Sequence, residues 1–146
     1  MTTSVRRDER GSAVVEFVTL GVLLLIPLVY LVMALGRVQA GAFAVSQAAR
    51  ESGRAFVTTD AGEDATARGV AAARISFADH RFEDEGVVTV SCDGSPCLRA
   101  GGRVVTTATV RVPLPLLPAF VDGALPLSVP VSATHVSTVD RFRDLP

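Results

Sequence analysis

The chain has 146 residues, 49% of them hydrophobic and 20% charged, with a formal net charge of -1. These proportions argue against a disordered chain and against a nucleic-acid-binding surface, and the length leaves room for one membrane helix plus one small domain. All 14 basic residues are arginine, and Arg6, Arg7 and Arg10 form a basic tail at the N-terminus.

From Phe17 to Gly36 the chain runs for 20 residues without a formal charge. As α-helix that run is about 30 Å long, the thickness of a bilayer's hydrocarbon core. A transmembrane helix is therefore expected over residues 12–36, preceded by a basic cytoplasmic leader at residues 1–11. Three arginines before the run, against Arg37 alone just after it, orient the N-terminus to the cytoplasm and the rest of the chain outside. Glu16 stands just inside the start of this segment, where a carboxylate is costly unless it gains a partner or reaches the interface. A removable signal peptide cut near Val38-Gln39-Ala40 fits less well, because the run exceeds the roughly 7–15 residues of an ordinary apolar core.

Helical spacing continues past the span through Val38, Ala42, Val45, Ala49 and Phe56, which predicts an extracytoplasmic continuation of the same helix over residues 37–57. Gly36, Ala40, Ala44 and Ala48 form a small-residue ridge on which another helix or a sheet can approach closely, within the same domain or in another subunit. Pro27 removes one backbone hydrogen bond and is expected to kink or loosen the helix.

Residues 58–146 read as a small extracytoplasmic α+β domain. Thr58-Thr59-Asp60 offers a cap for a second helix from Ala61 to about Phe77, with Ala65, Val70, Ala73 and Phe77 toward the core. Asp79 to Gly86 is a charged break and reads as a solvated turn. Gly86 to Ser91 and Arg103 to Val112 then alternate apolar and polar residues with period two, the pattern of a hairpin of half-buried strands. Leu127, Val129, Val131 and Ala133 begin a third strand, which Pro130 marks as an edge or bulged strand. The fold class expected is thus α+β: a long N-terminal membrane-spanning helix, a second short helix and a small antiparallel sheet of about three strands.

Cys92 and Cys97 flank Asp-Gly-Ser-Pro at the mouth of the hairpin, and outside the cytoplasm they are expected to form a disulfide. Two free thiols or half of a metal site are the alternatives, but His80 and His135 lack ligand-like spacing, so no metal is expected. The proline-rich stretch from Pro113 to Phe120 predicts a stiff extended path. Its Leu116, Leu117 and Phe120 either cover the domain's own core or form a docking surface for another subunit or the membrane face. The chain has no phosphate loop, dinucleotide fingerprint or nucleophile elbow, so no enzyme activity, cofactor or small-molecule substrate is expected. His135, on the apolar side of the third strand, reads as a satisfied sheet-end histidine.

Gly11-Ser12-Ala13-Val14-Val15-Glu16-Phe17, a glycine followed by four small or apolar residues and a glutamate at the edge of a membrane helix, resembles the processing site of type IV prepilins. With Arg10 before it and the apolar run to Leu35 behind it, the segment is similar to the TadE-like minor pseudopilin family. The later layout of helix, hydrophobic strands and proline-rich connector resembles that family more loosely. The resemblance implies cleavage after Gly11 by a prepilin peptidase, with Ser12 as the new terminus. It also implies that Glu16, followed by Phe17, serves recognition and assembly, and that the partners are other pilins or pilus-assembly proteins. The expected function is to support assembly of a tight-adherence-type pilus or a related secretion apparatus. The alternative is an unprocessed single-span membrane protein carrying an extracytoplasmic binding module.

Overall fold

One helix, α1 (Arg10–Val57), runs without a break through both the apolar segment and the core of the domain. The computed structural model describes residues 10–60, 63–115 and 128–142. With 48 residues, α1 is about 72 Å long. Pro27 lies inside it, and the helix continues on both sides. Through the apolar segment the side chains are bare, Leu24 being 73% exposed.

Contact with the domain begins at Arg37 and Val38, and full burial begins at Gly41. Gly41, Ala44, Val45, Ala48, Ala49, Ser52, Gly53 and Phe56 are buried in a stripe of helical period. Ala42, expected on this stripe, is exposed, because a helical face carried back from Val45 by one turn passes through Gly41. Of the small-residue ridge, Ala44 and Ala48 face the chain's own domain, Ala40 is half-buried and Gly36 is exposed.

The second helix starts later than its expected cap. The Thr58 and Thr59 hydroxyls donate to the Arg54 and Ala55 carbonyls at 2.9 and 2.8 Å, so both threonines finish α1. α2 (Ala65–Asp79) is instead capped by Asp64, whose carboxylate accepts from the Ala67 amide at 3.0 Å. It runs antiparallel to α1 and buries Gly69, Ala73, Ser76 and Phe77, while Ala65 and Val70 are half-buried.

The charged break after α2 is not wholly solvated. Phe82 within it is 1% exposed, its amide donates to the Phe77 carbonyl at 2.9 Å, and the Arg37 guanidinium lies 4.7 Å from its ring centroid. Burying that ring against α1 draws the turn back over the core, and the cation on its face adds about 1 kcal/mol or less at this exposure.

β1 (Gly86–Cys92), β2 (Arg103–Pro113) and β3 (Ser128–Thr138) form an antiparallel sheet in the order β1-β2-β3. The register pairs Gly86 with Val110 and Cys92 with Val104, and Val112 with Val129 and Val104 with Ser137. Val104, Thr106, Ala108, Val110 and Val112 are all buried beneath α1, as their period-two spacing requires. β3 is an edge strand, and Pro130 sits in its pairing register opposite Arg111. α1 packs mainly on α2, β2 and β3. The expected α+β architecture is therefore present. Leu116, Leu117, Phe120 and Leu127 lie outside the described residues.

Candidate processing and assembly site

The Arg10 to Phe17 motif forms the first two turns of α1, and the apolar segment follows it without interruption. Glu16 and Phe17 project from a bare stretch of helix, Phe17 being 78% exposed. Four residues separate positions 12 and 16, so they lie on one helix face, one turn apart. Positions 10 and 16 are six residues apart and diverge by about 120° around the axis. A terminus created at Ser12 is thus better aligned with Glu16 than Arg10 is.

At the other end of the molecule the cysteines are joined. The Cys92–Cys97 disulfide has a Cα–Cα distance of 5.4 Å and closes the loop between β1 and β2. Asp93 organises that loop. Its carboxylate accepts from the Arg103 amide at 3.0 Å and pairs with Arg99 at 2.9 Å, while its own amide donates to the Arg103 carbonyl at 3.1 Å. The Arg103 amide, and after it the Arg99 charge, hold the Asp93 carboxyl below the usual 3.8. Cys92 and Cys97 also pack against the small cluster of Phe56, Val104 and Val139, so the bridge tops the core farthest from the apolar segment.

His135 is half-buried on the helix-covered side of β3, opposite Thr106. His80 borders an open groove with Phe43, Gln47 and Arg50, its Nε2 lying 3.4 Å from Gln47 Oε1. Among the described residues no group of three or more His, Cys, Asp or Glu is placed to hold a metal ion.

The structure places positions 12, 16 and 17 within the first turns of one helix, with 12 and 16 on one face and 17 off it, and joins the two cysteines beside Phe56 at the far end of that helix. Sequence reasoning missed Phe82, whose signal was a lone aromatic inside a charged run, and the two glycines at which α1 meets the sheet. A methyl on Gly41 would overlap Val112 Cγ2, and one on Gly53 would come within 2.5 Å of Ser137 Oγ and 3.2 Å of Thr106 Oγ1. Comparison with family models, curated proteins and solved structures finds no match to this chain.

Proposed function

We propose that the chain is a membrane-anchored minor pseudopilin, cut by a prepilin peptidase after Gly11, that supports assembly of a tight-adherence-type pilus or a related secretion apparatus. The observation that carries this reading is a single helix that starts at a Gly-Ser-Ala-Val-Val-Glu motif, continues through 20 uncharged residues and ends inside an α+β head. The helix is long and apolar enough to cross a membrane. The arginine tail orients the leader to the cytoplasm, and the disulfide at the far end fits an oxidising compartment.

In this mechanism hydrolysis of the Gly11–Ser12 peptide bond adds water across it, leaving a carboxylate on Gly11 and an α-amine on Ser12. The amine and the Glu16 carboxylate share a helix face at the edge of the hydrocarbon. Each offsets the charge that the other brings, within the chain or between neighbouring subunits. The function is structural, with the head meeting other pilins or assembly proteins.

Intact-mass and N-terminal peptide analysis of membrane-extracted protein, with and without the host's prepilin peptidase, tests the reading. A peptidase-dependent start at Ser12 is expected, and Gly11→Leu should abolish it. A start at the original terminus in both preparations would return the chain to the unprocessed single-span class.

A further inference from the structure

The two glycine contacts set the direction of β2. From Gly53 to Gly41 the helix descends about 18 Å, and from Thr106 to Val112, the residues these glycines face, the strand covers about 20 Å. β2 therefore runs alongside α1, antiparallel to it, toward the apolar segment. Two residues further, about 6.6 Å, Leu114 reaches the level of Gly36 and Arg37, where the uncharged run ends. β3 starts at this level, since Ser128 pairs with Pro113 and Val129 with Val112. Val129 is 37% exposed, Pro113 is exposed, and Leu114 and Pro115 are half-buried.

The end of the head nearest the apolar segment is thus divided. On the α2–β1 side, Phe82 meets Arg37 and is followed by exposed Glu83, Asp84 and Glu85. On the β2–β3 side the described residues include no Asp, Glu, Lys or Arg between Arg111 and the end of β3. The described chain leaves this level at Pro115 and resumes at it with Ser128; the twelve residues between, 116–127, have Asp122 as their one charge and include four leucines, Phe120 and Val121.

We propose that the apolar half of this end, Pro113 to Pro115 with Val129, lies in the headgroup region of the bilayer and gives the head a second membrane contact beside α1. The inference rests on the membrane reading above. Lipid is the occupant because the surface is continuous with the span, at the depth where the hydrocarbon run stops, and because twelve residues of mostly uncharged chain begin and end there. The acidic turn on the other side stays in water, where its charges are solvated. The head then stands on two supports and is braced against tilting about α1.

The chain has no tryptophan, so single tryptophans report local depth. Leu114→Trp, Val129→Trp, Leu25→Trp within the span, and Phe142→Trp at the far end of the head are made in the full chain and reconstituted into phosphatidylcholine vesicles with brominated acyl chains. Fluorescence at Leu25→Trp and at Leu114→Trp or Val129→Trp is expected to fall at least about twofold more than at Phe142→Trp, which is 92% exposed. If both interfacial variants match Phe142→Trp while Leu25→Trp is quenched, the second contact is disproved and the span stands. If Leu25→Trp is not quenched either, the membrane reading fails together with the inference.

Discussion

At the scale of single residues, glycine decides how closely α1 approaches the sheet. In an exposed helix Gly→Ala gains up to about 1 kcal/mol from reduced chain entropy. At Gly41 that gain is opposed by overlap with Val112, which is fully buried and β-branched and so has little freedom to move aside. Overpacking of this kind costs about 1–3 kcal/mol, so Gly41→Ala should lower the stability of the head by about 1 kcal/mol. Gly36→Ala, with nothing within 4 Å of its added methyl, should not. Thermal unfolding of the two variants in detergent separates the cases, and equal midpoints would show that the close approach has no energetic weight. Neither glycine announces this in the sequence, where both look like ordinary small residues on a helix. Close approach depends on a partner strand about 70 residues away, information that local spacing does not contain. The proposed roles of Gly11, Ser12 and Glu16 rest instead on neighbours in the chain, which is why the sequence alone suffices to raise them.

At the scale of elements, period-two alternation gave β1 and β2 almost to the residue, because every inward position of β2 is buried by α1 and every outward one is not. The helix boundary after α1 was misplaced because three cap-forming residues, Thr58, Thr59 and Asp60, precede a fourth, Asp64. The two hydroxyls turn back to carbonyls of α1, which leaves the carboxylate of Asp64 to the amides of α2. The hairpin between β1 and β2 is held twice, by the disulfide and by Asp93 with Arg99 and the Arg103 amide. The cross-linked loop is short, so the bridge contributes about 2 kcal/mol by the chain-entropy relation. Cys92→Ser with Cys97→Ser should therefore leave the head folded but lower its stability by about that amount. Denaturant titration of the double variant against the parent measures it. An unfolded head would mean that the bridge supports far more than its own loop.

At the scale of the whole molecule, α1 ties a charged terminus to a folded head. If Glu16 meets the Ser12 amine in an assembled complex, removing the carboxylate leaves an amine unpaired at the edge of the hydrocarbon. Losing one partner of such a pair costs about 3 kcal/mol or more, roughly 100-fold in an association constant. Glu16→Gln should therefore insert normally yet assemble poorly, which quantitative blotting of sheared surface filaments against total membrane protein reads directly. Filament yield equal to the parent would remove Glu16 from the assembly step. Within the head, sequence reasoning reached the elements but not the way they meet, because the end nearest the apolar segment is made by elements from three separate stretches of chain.

The unbroken helix also fixes an azimuth. Glu16 and Gly41 are 25 residues apart, close to seven whole turns, so the carboxylate points within about 20° of the direction in which the head hangs. Between Val14 and Val32 the opposite flank of α1 carries neither charge nor head. A neighbour approaching from that flank meets only apolar rod, while one approaching from the other meets carboxylate below and domain above. Adding one residue to the span would swing these two features about 100° out of phase.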